Sequence, residues 1–355
     1  MLKNSIWNYQ TLKRINFIYI IFLKIFRNFI IMNKIEKLLM GPKAILKSRK
    51  LIKNLSSSLY QYLILRKQNI ELKLRNGETI TVSRFLYPRV IYYYYLGYLN
   101  YINKNEIKIK LDNKIYSIPI NAIYSNDIGG IILLIKSNWQ YKNNYWEKNR
   151  IKFKHAYGSV SEIFDKEDYK FFNVKDKIIL DIGAFVGDSA IYFILKGAKK
   201  VYAIEPHPDA YNEMLENIKL NNMEDKIIPI NMGINYEKDY VVINTKDTTH
   251  TAFSFFNSNN NGIKVPAGKL RDIIEKYNID AQVLKMDCEG CEYDIILKDY
   301  DNIKEFEEIG FEYHAYNTKI PVSKLLEKLS KDFECKIIKG GINEKIGILH
   351  CIRKK

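Results

Sequence analysis

Acidic side chains are almost missing from the first 75 residues of this 355-residue chain. That stretch holds 16 Lys and Arg against two acids, Glu36 and Glu71, a net charge of +14. The other 280 residues hold 40 basic and 38 acidic side chains, a net charge of +2. The imbalance is therefore local, and it excludes a molecule that is basic all over. It suggests an arm that meets an anionic surface, lipid headgroups or nucleic acid, with a merely solvated basic helix as the plainer alternative. Cysteine is scarce as well: Cys288, Cys291, Cys335 and Cys351 are too few to make a disulfide framework in a chain of this length. Cys288 and Cys291 form a C-x-x-C, but no second C-x-x-C or H-x-x-H follows, which excludes a zinc site of ordinary spacing. Both read as small buried thiols near a strand end. Long hydrophobic runs are lacking too. The longest in residues 15–32, Phe17 to Leu23, falls far short of the roughly 18–20 residues a membrane span needs.

What is present is a globular composition, 47% apolar and 27% charged, in a chain long enough for two domains. In residues 15–32, Lys24 and Arg27 fall on one helical stripe with Lys13, Asn16 and Lys34, and the rest of the surface is Ile, Phe, Leu and Tyr. This is the pattern of an amphipathic helix lying in a membrane interface. A leader helix is expected over 1–40, holding a cytoplasmic protein peripherally at the inner face of the membrane. A secretory signal is disfavoured, because Lys24 and Arg27 interrupt the apolar stretch and no A-x-A site follows. Met32 is an alternative start of the protein. Residues 41–150 read as a small β-containing accessory domain. Alternating residues around Asn76-Gly77 and around Asp112-Asn113 predict two hairpins. The Tyr92–Tyr95 run is read as packing rather than as a ligand platform.

The informative part is 151–355. Ile178 to Asp181 is a short apolar strand ending in an acid, followed by Gly183-Ala184-Phe-Val-Gly187-Asp188, a helix, and a second strand ending at Glu205. This order is the first βαβ unit of a nucleotide-binding doubly wound sheet. A dinucleotide loop would read G-x-G-x-x-G, whereas here Asp181 stands at the first glycine position. An acid there would repel a diphosphate and suits a cofactor with a cationic end, S-adenosylmethionine. Glu205 is expected to accept hydrogen bonds from the ribose hydroxyls, and Asn231, at the end of a third strand, to reach the adenine.

Asp181-Ile-Gly-Ala-Phe-Val-Gly-Asp-Ser-Ala-Ile-Tyr-Phe, Glu205-Pro-His-Pro and Leu284-Lys-Met-Asp-Cys-Glu-Gly-Cys-Glu-Tyr-Asp resemble the motifs of FkbM-type methyltransferases. The likeness runs from about Phe164 to the C-terminus and leaves 1–150 uncovered. It implies a class I methyltransferase fold, S-adenosylmethionine as donor, and an oxygen acceptor on a sugar, glycolipid or polyketide. The expected architecture is thus α/β, a Rossmann-like doubly wound sheet closed by an antiparallel hairpin at Phe333–Ile338 and Ile346–Ile352. Residues 235–268 read as an inserted hairpin region where an acceptor is gripped. Cys288 and Cys291 stand where such proteins more often carry a small aliphatic residue.

Methyl transfer to oxygen needs alignment and a base within reach. Asp287 and Glu289, just past the fourth strand, and His314, after the fifth, are the catalytic candidates, with His314 the most natural base. Lys285 and Glu312 fall at the same strand ends. Asp287 also joins Asp181, Gly183, Ala184, Gly187, Asp188, Glu205 and Asn231 as a cofactor contact. No metal-spaced ligand set is evident, and no metal is expected. The fourth-strand loop, Asp287-Cys288-Glu289-Gly290, has no proline. That argues against enzymes that methylate base amines and disfavours nucleic acid, although an RNA ribose methyltransferase using the basic arm and a non-catalytic binding module stay open. The lipid reading of the arm predicts that the full chain floats with anionic liposomes and that a chain lacking residues 1–40 does not. If both stay in the soluble fraction, that reading fails.

Overall fold

The computed structural model describes residues 42–122, 128–243 and 262–355. The chain divides into two compact units, Met1–Tyr141 with His155–Tyr157, and Lys142–Lys154 with Gly158–Lys355. The leader helix expected over 1–40 lies outside the described residues, as do residues 244–261 of the expected insertion. Among the described residues no helix is long and apolar enough to cross a membrane.

In the first unit, β1 (Asn69–Lys73) and β2 (Thr79–Ser83) form an antiparallel pair with Leu72 opposite Ile80. Alternate residues Ile70, Leu72, Ile80 and Val82 are buried, the period-two signal that identifies a one-sided strand. β3 (Leu99–Ile102), β4 (Glu106–Leu111) and β5 (Lys114–Pro119) make a three-stranded antiparallel sheet. Asp112 and Asn113 both take left-handed φ, +46° and +62°, as a two-residue turn between β4 and β5 requires. The tyrosine run lies on the helix Leu86–Leu96 and is half-buried.

The short β6 (Gln140–Lys142) runs across the boundary between the units. In the second unit, β7 (Tyr145–Lys148) pairs antiparallel with β8 (Ile151–Phe153). The main sheet then begins with β9 (Ile178–Ile182), β10 (Lys200–Ile204) and β11 (Ile227–Ile230). A second small sheet of β12 (Gly233–Ile234), β13 (Tyr240–Ile243) and β14 (Ile263–Gly268) interrupts it. The main sheet resumes with β15 (Val283–Met286), β16 (Glu308–His314), β17 (Phe333–Lys339) and β18 (Ile346–Arg353). The strand order is β11-β10-β9-β15-β16-β18-β17, parallel from β11 through β16 and antiparallel for the last two. This is the doubly wound sheet expected from sequence, closed by the expected C-terminal hairpin. β9 and β15 are buried along nearly their whole length, which explains their unbroken apolar runs. Leu180, Ile182, Leu284, Met286, Ile309 and Phe311 share one core with the helix residues Ile295, Ile296, Leu325 and Leu329. From β9 the chain winds outward to β10 and β11, then returns to lay β15 on the other flank. The carboxyl ends of β9 and β15 are therefore the switch point where ligands of such sheets bind.

The cysteine reading is corrected here. Cys335 and Cys351 sit opposite each other on β17 and β18 and are disulfide-bonded, with Cα atoms 4.0 Å apart. Cys288 and Cys291 are joined as well, Cα atoms 5.4 Å apart, across a turn in which Glu289 and Gly290 both take positive φ. The reading of Cys288 and Cys291 as thiols fails because the turn after β15 brings their side chains together, while the Cys335–Cys351 pairing depends on strand register, which spacing along the chain does not show. Two bridges predict no alkylatable thiol in the denatured, non-reduced chain and four after reduction, counted by mass spectrometry. Opening the Cys335–Cys351 loop should lower stability by about 3 kcal/mol in a denaturant melt. Four thiols reacting without reduction would contradict the pairing.

Candidate functional site

The turn between β9 and the helix Asp188–Leu195 is shaped by two glycines. Gly183 has φ +76°, and a Cβ there would lie 2.0 Å from the carbonyl oxygen of Asp287, so the two switch-point loops touch backbone to backbone. Gly187, at φ +83°, precedes the helix, and a Cβ there would meet Met214 at 2.9 Å. The amides of Gly183 and Ala184 both donate to the Ile204 carbonyl at 3.0 Å. Phe185 N–H donates to Glu205 Oε2 at 2.9 Å and Gly187 N–H to the Ala184 carbonyl at 2.8 Å. These four amides already have partners inside the protein. A pyrophosphate, which needs free loop amides, finds none of them available.

The role expected of Asp181 is corrected by its surroundings. It is fully buried, and Lys285 Nζ lies 2.8 Å from Oδ1 while Ser189 Oγ donates to Oδ2 at 2.6 Å. Lys285 stands directly opposite Asp181 in the β9–β15 register and also donates to the Gly183 carbonyl at 2.9 Å. Burial pulls the Lys285 ammonium down, but Asp181, Asp287 and Asp188 together outweigh it and hold its pKa above the ordinary value. The Asp181 charge is thus answered within the sheet rather than by a cofactor. Its work is to lock the glycine loop onto β15, and removing either partner would cost about 3–5 kcal/mol.

Glu205, at the end of β10, is the acid that faces the loop. Its Oε1 accepts the His207 amide at 2.7 Å and its Oε2 the Phe185 amide at 2.9 Å. A carboxylate offers about four lone-pair sites, so two remain for ribose hydroxyls. Burial pushes its carboxyl up to about 7. Asp188 opens the helix with Oδ1 accepting the Ser189 amide at 3.0 Å, and burial pushes it up to about 6. Asn231 is placed differently from expectation. Its amide nitrogen donates to the carbonyls of Glu205 and Pro206, at 2.9 and 3.2 Å, so it braces the β10 loop and leaves only Oδ1 for a base.

Beyond β15 and β16 the catalytic candidates do converge. Asp287 Oδ2 accepts the Tyr169 hydroxyl at 3.1 Å. Glu289 is held by Tyr316 Oη at 2.6 Å and by Asn317 Nδ2 at 3.3 Å, and burial pushes its carboxyl up. His314 is fully buried. Its Nδ1 lies 2.9 Å from Glu292 Oε1, which also accepts the His314 amide at 3.0 Å, while Glu292 Oε2 accepts the Gly290 amide at 2.9 Å. Among the described residues its Nε2 has no hydrogen-bond partner, and it looks toward Glu289 Oε2 at 3.5 Å, Glu312 Oε2 at 3.7 Å and Asp287 Oδ1 at 3.9 Å. Burial works against its charge, but Glu292, Glu289 and Asp287 push the imidazole up to about 10. With acids on several sides, the His314 imidazole holds a proton, or any other cation, more tightly than an ordinary histidine, so it is not the free base its ordinary pKa suggests. The surrounding carboxylates are the better proton acceptors.

Sequence reasoning missed Tyr169, which comes 118 residues before the Asp287 it holds, and the orienting part played by Glu292. No local signal marks either. It also expected no metal ligands, because chain spacing shows none. In space, ligand atoms of Asp287, Glu312 and His314 lie within 4.8 Å of one another.

Residues 181–330 match the methyltransferase FkbM domain. The chain is similar to the ribosomal protein L11 methyltransferase of Carboxydothermus hydrogenoformans, 38% identical over 72 residues, covering 19% of this chain and 24% of the relative. It is similar to the tRNA (guanine(37)-N(1))-methyltransferase of Methanocaldococcus jannaschii, 47% identical over 53 residues and 15% of each chain. It thus spans a quarter or less of the length of these curated relatives. Among solved structures, the ribosomal protein L11 methylase of Lactobacillus delbrueckii subsp. bulgaricus aligns at 14% identity and a TM-score of 0.35, covering 56% of this chain and 81% of that one.

The raised Glu205 carboxyl sets a pH dependence for cofactor binding. Ribose hydroxyls donate to the ionised form, so binding favours loss of the proton. Affinity should rise as pH increases toward about 7 and level off above it, with Asp188 acting in the same direction near about 6. Calorimetric titration with S-adenosylmethionine from about pH 6 to about pH 8.5 reads this directly. A flat profile would remove Glu205 from the cofactor contact.

Proposed function

We propose that the protein, whose residues 181–330 match the methyltransferase FkbM domain, transfers the methyl group of S-adenosylmethionine to a hydroxyl of a sugar, glycolipid or related small molecule. The observation that carries this reading is the contact of two loops at neighbouring strand ends. One is the glycine loop after β9, with Glu205 beside it. The other carries Asp287 and Glu289, faced by Glu312 and His314 from β16. Transfer is an in-line displacement: the acceptor oxygen forms a bond to the methyl carbon as the carbon–sulfur bond breaks, releasing S-adenosylhomocysteine and a proton. The protein's part is to align the two reactants and to accept that proton. Asp287, Glu289 and Glu312 supply carboxylates for hydroxyl contacts, and Glu289, its proton affinity raised by burial, suits proton acceptance.

The acceptor class rests on this set of carboxylates and on the loop Asp287-Cys288-Glu289-Gly290, which has none of the prolines used to seat a base amine. A cleft lined by acids also repels phosphate backbones. The net charge of +14 over residues 1–75 supports a peripheral contact with an anionic membrane surface, which would bring the enzyme to lipid-linked acceptors. The same charge is what an RNA ribose methyltransferase would use, and the two named relatives act on a ribosomal protein and a tRNA.

Calorimetry on the full chain tests the core of the reading. S-adenosylmethionine should bind with a Kd of roughly 1–100 µM and NAD+ should not bind. Glu205→Gln should weaken the cofactor about tenfold or more, since it loses charge-assisted hydrogen bonds. Labelled methyl should then pass to glycan or glycolipid pools and not to RNA. Binding of NAD+, or transfer to RNA alone, would overturn the assignment.

A further inference from the structure

We infer that Asp287, Glu312 and His314 form a binding site for one divalent first-row cation of the Mn2+ kind, at the carboxyl ends of β15 and β16. Three observations carry it. The first is the spacing. His314 Nε2 lies 3.7 Å from Glu312 Oε2 and 3.9 Å from Asp287 Oδ1, too long for hydrogen bonds. Ligands bound to a common ion at about 2.1 Å stand about 3.0 Å apart when adjacent and about 4.2 Å apart when opposed, so these separations suit a single cation between them.

The second is His314 itself. The side chain is fully buried, and among the described residues Nε2 has no hydrogen-bond partner although three carboxylate oxygens surround it. Its other nitrogen points at Glu292 Oε1, 2.9 Å away. That is the way a protein orients a metal-binding imidazole, with the outer nitrogen donating to a carboxylate and the inner one presented as a ligand. Asp287 is oriented likewise, its Oδ2 held by Tyr169 while Oδ1 faces the cluster.

The third is charge. Asp287, Glu289, Glu292 and Glu312 all surround one imidazole. The nearest buried lysine, Lys285, directs its Nζ to Asp181 and the Gly183 carbonyl instead. These acids outnumber the one positive charge a protonated imidazole can carry, and a divalent cation that displaces the Nε2 proton would answer more of their charge. One imidazole with two carboxylates is a mixed nitrogen and oxygen set with open positions. Among common ions this favours Mn2+ over Mg2+ and Ca2+, which prefer oxygen alone. Glu289 Oε2, engaged by Tyr316 and Asn317, stays a neighbour rather than a ligand.

If the methyltransferase reading holds, on which this role rests, an open position of the ion takes the acceptor hydroxyl oxygen. The cation acidifies the O–H, whose proton passes to Glu289 as the oxygen attacks the methyl carbon. The ion site itself does not depend on that reading.

The test uses Mn2+ alone with the full chain and no cofactor. The free-ion electron paramagnetic resonance signal should disappear as one equivalent binds, and the spin-echo spectrum of the bound ion should show coupling to one imidazole nitrogen. Asp287→Asn and Glu312→Gln should each weaken binding about tenfold or more, while Glu334→Gln, exposed on β17, should not. The spin-echo experiment needs no variant, so a misfolded mutant does not rescue the idea. No binding at millimolar Mn2+, or binding without nitrogen coupling, overturns the proposal. Wild-type calorimetry with S-adenosylmethionine separately reports on the methyltransferase reading, so the two can fail independently.

Discussion

The buried pair of Asp181 and Lys285 is the interaction on which the site is built. Both side chains sit in the middle of the sheet, on adjacent strands and in direct register, with 2.8 Å between their charged atoms. Taking two charges out of water is costly, and their attraction offsets that cost only when the geometry is good and the remaining polar atoms are satisfied. Here Ser189 completes Asp181 and the Gly183 carbonyl completes Lys285. The last of these contacts is the consequential one. It ties the turn of the glycine loop to the neighbouring strand, on the same side where Gly183 meets the Asp287 carbonyl. The loop's shape, its internally bonded amides and the position of Asp287 all follow from that lock.

A second constraint operates one strand away. Glu292 accepts backbone amides from Gly290 and His314 and meets the His314 ring as well. It thereby fastens the start of the helix Cys291–Lys298 to the end of β16, while the Cys288–Cys291 bridge closes the same turn. Asp287 and Glu289 are held by a different set of groups, Tyr169, Tyr316 and Asn317. Glu292, which braces the backbone, is thus separate from Asp287 and Glu289, which keep oxygens to offer a ligand.

Much of the second unit was legible along the chain. The apolar runs of β9, β10 and β15, the acids that end or follow them and the hairpin of β17 and β18 all follow local rules of burial and periodicity. The hairpin turns at Asn76-Gly77 and Asp112-Asn113 were legible for the same reason. Asp181 shows where such reading stops. Its position in the motif is visible, but the lysine that neutralises it comes 104 residues later and carries no mark of its own. His314 was read from the ordinary pKa of histidine, and the cluster around it reverses that reading.

By itself the sequence determined the run of strands from β9 to β11 and from β15 to β18, the charge asymmetry, the glycine loop and the acids at the strand ends. Each of these depends on neighbours within a few residues or on the strict alternation of a strand. The pairing of Asp181 with Lys285, of Cys335 with Cys351, and of His314 with Glu292 was decided only by the tertiary structure. So was the meeting of Asp287, Glu312 and His314 around one point. The physical reason is common to them. Electrostatic and coordinate interactions act over a few ångströms in space, and strand register, which brings distant residues that close, is set by the packing of the whole sheet.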